Sequence, residues 1–222
     1  MDKHLENLLG RRPVLESINQ DLEDAYHIME KAFKCGRRMY LCGNGGSAAD
    51  CEHWAGELLK GFAHKRTSKY EDLPKIMGMP LQGALPVIPL TGFLGLTTAF
   101  ANDVSAEFTF AQLVYALVRE GDVLVGISTS GNAKNVIHAI NVAKVRGVKT
   151  IGLTGASGGE LAKRAHCVVK VPETETYLIQ ELHLPIYHYF CLRLEESFFP
   201  QEGRVAVGHI DPNGAIEDSN KL

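Results

Sequence analysis

The chain has 222 residues, 45% of them hydrophobic and 22% charged, and a formal net charge of -3. That length can carry one α/β domain with a full core. The charge offers no basic surface for nucleic acid, no apolar run approaches the roughly 20 residues that span a membrane, and the N-terminus MDKHLENLLGRR is too charged for a secretory leader.

Residues 13–34 place apolar side chains at helical spacing, with Pro13 near the start and Gly36 just past the end. RMYLC (38–42) predicts a short buried strand, and 47–60 a helix. Residues 61–83 show no clear period and predict a long loop, a kind of segment usually tied to function or mobility. LPVIPL (85–90) predicts a second strand despite its prolines. Helical patterns follow at roughly 92–101 and 106–119. DVLVGIS (122–128) predicts a strand, 131–147 a helix, VKTIGLT (148–154) a strand, SGGELAKRA a short helix and CVVKV (167–171) a strand. A long helix fills 175–197, with Pro185 inside it as a possible kink. Five cysteines, at 35, 42, 51, 167 and 191, lack zinc-finger spacing and predict a reduced, cytoplasmic protein.

Strands alternating with helices predict a parallel sheet covered on both faces, a three-layer α/β sandwich. Ligands in such sheets sit beyond the carboxyl ends of the strands. The loops after 42, 128 and 154 are therefore the candidate sites. The first, CGNGGSAAD, is glycine-rich. It puts Ala48 where a dinucleotide fingerprint needs its third glycine, and no G-K-[ST] is present for a Walker loop. No nucleotide cofactor is expected. The second, GISTSGN (126–132), sets Ser128, Thr129 and Ser130 at the predicted start of a helix. A simple helix cap needs one hydroxyl. Three of them beside free N–H groups and the positive end of a helix suit a phosphate monoester.

Asp50, His53 and Glu57 share one face of the helix that the glycine loop opens. Such a trio is commonly a solvated surface, but here the face can look into the site. Gln180 and His188 lie about 80° apart around the last helix, while His183 and His188 point about 140° apart. Geometry alone leaves open which histidine acts.

With both loops in view, the sequence resembles the SIS (sugar isomerase) domain family, and within it the phosphoheptose isomerase branch. The carrying segments are CGNGGSAADCEHWAGEL (42–58), AND (101–103), EGDVLVGISTSGNAKNVIHAI (120–140), TIGLTG (150–155), GGELA (158–162) and IQELH (179–183). The resemblance implies a five-stranded parallel sheet in a single SIS domain over 1–222. In it, 1–36 would be a helical segment for oligomer packing and 200–222 a tail. It also implies a homotetramer with active sites between subunits. The implied activity is aldose–ketose isomerisation of sedoheptulose 7-phosphate, with Glu57 and His188 as the acid/base pair. Ser128, Thr129 and Ser130 would hold the phosphate. Asn44, Gly45, Gly46, Ser47, Asn102, Asp103 and Gln180 would line the sugar site. Some members bind one Zn²⁺ per subunit at positions matching His53, Glu57, Gln180 and His188.

The match departs in places. Ala133 stands where the branch has a further phosphate-binding serine, Tyr177 and Leu178 replace an Asp-Arg pair, and 61–95 is longer than usual. A different ketose phosphate, a non-catalytic SIS protein of the kind that binds the replication initiator, and a sugar-phosphate sensor are the alternative readings. Retention of Glu57 and His188 favours the enzyme.

Overall fold

The computed structural model describes residues 2–66 and 81–201. In chain order these form α1 (Lys3–Arg11), α2 (Asn19–Lys34), β1 (Met39–Cys42), α3 (Gly46–Leu59), β2 (Val87–Pro89), α4 (Leu94–Phe100) and α5 (Thr109–Leu117). There follow β3 (Val123–Ile127), α6 (Lys134–Val145), β4 (Lys149–Thr154), α7 (Gly159–Ala162), β5 (Cys167–Lys170) and α8 (Thr176–Phe198). The strands make one parallel sheet in the order β2-β1-β3-β4-β5.

Strands β1 and β3 are buried along their whole length, which is why both read as unbroken apolar runs. Alternate side chains then face opposite layers. Met39, Leu41, Val123, Val125 and Ile127 join the core under α1, α2, α3 and α8. Tyr40, Cys42 and Leu124 join the core under α5 and α6. The helices therefore cover both faces, as the alternating pattern predicts.

Four predicted helices differ in detail. The 13–34 pattern is split: Pro13–Ile18 is a 3-10 segment and only Asn19–Lys34 is α-helical. The tighter repeat of three residues per turn stacks Leu15 and Ile18, the two buried residues of that segment, on one side. Between 92 and 119, α4 runs into a π turn at Ala101–Ser105 and a 3-10 turn at Ala106–Phe108 before α5 begins. The helix predicted over 131–147 starts at Lys134. Pro185 does not break α8, which is held on the core by Leu182, Ile186, Tyr189 and Phe190 around it. Most of the long 61–83 loop and nearly all of the 200–222 tail lie outside the described residues.

Candidate active site

The strand order reverses between β1 and β3, and the loops leaving these two strands open a crevice at their carboxyl ends. Residues 43–45 and the first turn of α3 form one wall. Gly45 adopts φ +55°. A Cβ on Gly46 would lie 2.5 Å from Gln180 Nε2, so the α8 amide lies directly over the glycine loop. Ser47 is buried. Asn44 and Asn135 exchange a reciprocal pair of amide hydrogen bonds of 2.8 and 2.9 Å, tying the glycine loop to the first turn of α6. Nothing in the sequence singles out Asn135, because its partner is 91 residues away.

The Ser128–Ser130 loop forms the other wall. Ser128 is buried, its N–H donates to the Leu153 carbonyl, and its Oγ accepts a long 3.4 Å bond from Ala133 N–H. Thr129 accepts from Gly155 N–H and the Thr154 hydroxyl through its carbonyl. Ser130 Oγ accepts from Asn132 N–H at 3.2 Å. Because α6 starts at Lys134 and not at 131, the three hydroxyls stand a full turn ahead of the helix and not directly at its start. No side chain caps α6, whose N-cap is Ala133. Val136 N–H donates to Asn135 Oδ1 at 3.0 Å, while the N–H groups of Lys134 and Asn135 have no intrahelical partner and carry the positive end of the helix.

This loop packs backbone to backbone on the next one. Gly131 has φ +68°, and a Cβ there would lie 2.1 Å from the Gly158 carbonyl oxygen. Gly131→Ala is expected to cost at least about 2 kcal/mol, from left-handed backbone strain plus overlap. Urea denaturation checks this against Gly10→Ala, where nothing lies within 4 Å of the added carbon and a small gain is expected.

Between the two helices that flank the crevice, α3 presents Asp50, His53 and Glu57, and α8 presents Tyr187 and His188. His53 Nε2 is 3.2 Å from Glu57 Oε1, and Lys60 Nζ is 3.0 Å from Glu57 Oε2. His53 Nδ1 lies 2.9 Å from the Tyr187 hydroxyl. The His53 and His188 rings stand edge to face with centroids 5.1 Å apart, and His188 also leans on Phe62. Burial, then the neighbouring His53, push the His188 imidazole below its ordinary pKa, while Glu57 opposes the shift. His183 is completely buried, and burial pushes it down to about 4. Of the two histidines that helical geometry leaves open, only His188 stands beside His53. The Asp50–His53–Glu57 face is turned toward α8 and is not simply a solvated surface.

Asn102 and Asp103 make no hydrogen bond to these groups among the described residues. They are exposed in the π turn, where Asn102 Nδ2 donates to Asp103 Oδ1 at 2.8 Å, and the turn packs chiefly on α4 and the 3-10 turn after it. Tyr177 is exposed in the first turn of α8.

Among the described residues no three His, Cys, Asp or Glu side chains converge as a finished metal site. Two donors are nevertheless already set. The 3.2 Å between His53 Nε2 and Glu57 Oε1 is close to the separation of about 3.3 Å that two ligands at Zn–N and Zn–O bond lengths take around a tetrahedral ion. His188 Nε2 is buried without a hydrogen-bond partner among the described residues, and Gln180 lies over the adjoining loop. His53 and Glu57 together have the spacing of two zinc ligands.

The profile of the SIS domain family matches residues 8–155. A phosphoheptose isomerase of Maridesulfovibrio salexigens is 39% identical over 202 residues, covering 91% of this chain and 88% of that protein. One from Nitratiruptor sp. is 38% identical over 205 residues, covering 89% of this chain and all of that protein. The solved structure of the phosphoheptose isomerase from Neisseria gonorrhoeae superposes with a TM-score of 0.71 at 32% identity, covering 86% of this chain and 94% of that one.

Proposed function

The chain belongs to the SIS domain family and to its phosphoheptose isomerase branch, and on that footing we propose that it interconverts sedoheptulose 7-phosphate and the corresponding aldoheptose 7-phosphate. The observation that carries this reading is the cluster of His53, Glu57 and His188 between α3 and α8, in a fold whose carboxyl-edge loop brings three hydroxyls to the start of α6. A sugar phosphate needs both ends: a phosphate seat, and a base beside the carbons next to the carbonyl.

In this mechanism Ser128, Thr129, Ser130 and the free N–H groups of α6 bind the phosphate. Asn44, Gly45, Gly46, Ser47 and Gln180 line the sugar. Glu57 takes a proton from C1 of the ketose, leaving an enediolate, and returns a proton to C2. His188 moves the hydroxyl proton from O1 to O2, so the product differs from the substrate only in where two hydrogens sit. The push on His188 away from its charged form favours the neutral imidazole, which can accept that proton. His53, Glu57, Gln180 and His188 would hold a zinc ion, which when bound polarises the carbonyl oxygen as a Lewis acid. Metal analysis of protein prepared without chelators tests this part, and a stoichiometry near zero removes it.

The protein assembles as a homotetramer with sites completed between subunits. Two facts support this. Helix α4 buries none of its own residues; its Leu94 is 73% exposed, as is Val104 just after it at 67%. Asn102 and Asp103 sit exposed in that same segment. Light scattering in solution, with Leu94→Glu as the disrupting variant, reads the assembly directly. None of the described helices is long and apolar enough to cross a membrane, and the five unpaired cysteines suit the cytoplasm. Side-by-side turnover of sedoheptulose 7-phosphate and fructose 6-phosphate tests the substrate. Preference for the hexose would keep the mechanism and change the sugar, as the altered Ala133, Tyr177 and Leu178 allow.

A further inference from the structure

The acid/base pair leaves two groups behind His53 without a role. Tyr187 is fully buried, with its ring stacked on Trp54 at 5.7 Å and 17°. Its hydroxyl lies 2.9 Å from His53 Nδ1 and 3.3 Å from Asp50 Oδ1. A phenol has one proton to give and can accept another. Asp50 is partly buried, and among the described residues no other donor reaches its side chain; its Oδ2 has no partner at all.

These facts choose between two proton arrangements. If Tyr187 gave its proton to His53, the Asp50 carboxylate would be left without a hydrogen bond, at the cost of its desolvation. If Tyr187 gives it to Asp50, His53 Nδ1–H donates to the phenol oxygen, and Asp50 Oδ1, the phenol and His53 Nδ1 all have partners. His53 Nε2 then turns a bare lone pair toward Glu57 Oε1, 3.2 Å away. Two acceptors at that distance form a seat for a proton or a metal cation and for nothing neutral.

We propose that Tyr187, held by Asp50, is a positioning residue that keeps the His53 proton on Nδ1 and so aims the Nε2 lone pair at Glu57. The row Asp50–Tyr187–His53 does through a phenol what an outer carboxylate does directly for a ligating histidine. Its effect on turnover rests on the isomerase reading above; the proton placement does not.

Tyr187→Phe keeps the stacked ring and removes only the hydroxyl. Two readouts are taken on the full-length protein as purified. The first is the nitrogen-15 spectrum of the imidazoles, with the His53 signal identified by its loss in His53→Gln. Wild type is expected to carry its proton on Nδ1, and Tyr187→Phe to move it to Nε2, where it donates to Glu57. The second is steady-state kinetics, in which kcat is expected to fall roughly 10–100-fold with KM little changed. Asp50→Ala gives an independent route: with its acceptor gone, the phenol turns its proton to Nδ1 and the same exchange of tautomers follows. A wild-type His53 protonated on Nε2 alone would overturn the proposal, as would a Tyr187→Phe protein with unaltered tautomer or unaltered kcat. If the wild type turned over no sugar phosphate, the fault would lie with the proposed reaction, and the tautomer exchange would still decide the positioning.

Discussion

Glu57→Gln is expected to lower kcat by roughly 10²–10⁴-fold while KM stays within a few-fold, the ordinary contribution of one positioned acid/base group. The amide matches the carboxylate in shape and can still accept from Lys60 Nζ, which reaches Glu57 Oε2 at 3.0 Å. The Glu57 side chain is only 19% exposed, so the substitution occupies the same space against α8. What the amide cannot do is take a proton from carbon. His188→Gln should fall in the same range, and the double variant should cost far less than the product of the two, because both groups serve one proton-transfer sequence. Activity of Glu57→Gln within a few-fold of wild type would remove Glu57 from the chemistry.

The largest stability effect is expected where the C-terminal end of α3 and α8 are locked together. Arg66 and Glu195 form an ion pair of 2.7 Å with side chains 0% and 1% exposed. Glu195 also accepts from the N–H groups of Phe62 and Ala63 at 2.7 and 2.8 Å. Arg66 donates to the carbonyls of Leu58 at 2.7 Å and Glu57 at 3.2 Å, closing the C-terminal end of α3. Burial alone would raise the Glu195 carboxyl, but these N–H groups and the guanidinium outweigh it and hold the carboxyl below its ordinary pKa. Arg66→Met leaves that buried carboxylate without its cation and should cost about 3–5 kcal/mol in urea denaturation. The double variant Arg66→Met/Glu195→Leu should recover part of the loss, because no charge is then stranded. Recovery stays incomplete, since the Phe62 and Ala63 N–H groups and the Leu58 carbonyl lose their partners. The pH dependence follows from the lowered carboxyl. The contribution of Glu195 is complete above its unfolded pKa of about 4.3 and is lost as the pH falls through the lower folded value. A loss below about 1 kcal/mol for Arg66→Met would place this pair among weak surface contacts.

What could be read in the sequence was what is local. A buried strand, a glycine cluster and a helical period occupy one stretch of chain, so the 42–47 and 126–132 loops stand out with their chemistry attached. The parallel sheet follows from alternation alone. The side-chain partnerships do not. Tyr187 meets His53 across 134 residues, Arg66 meets Glu195 across 129, and Asn44 meets Asn135 across 91. No periodicity encodes such pairs, because each is set by how two helices or two loops come to lie side by side. The same limit explains the two histidines of α8. Their angle on the helix is legible, but which direction faces α3 is a tertiary fact. Local detail was missed where backbone types differ subtly: the 3-10 segment at Pro13–Ile18 and the π turn at Ala101–Ser105 keep the apolar spacing of a helix while changing its pitch.

The most direct test is proton NMR of sedoheptulose 7-phosphate with the wild-type protein in D₂O. An enediolate formed at Glu57 predicts aldoheptose signals together with deuterium entering next to the carbonyl, and loss of both in Glu57→Gln. Product formed with no deuterium, or exchange that survives Glu57→Gln undiminished, would contradict a solvent-exchangeable proton carried by this carboxylate.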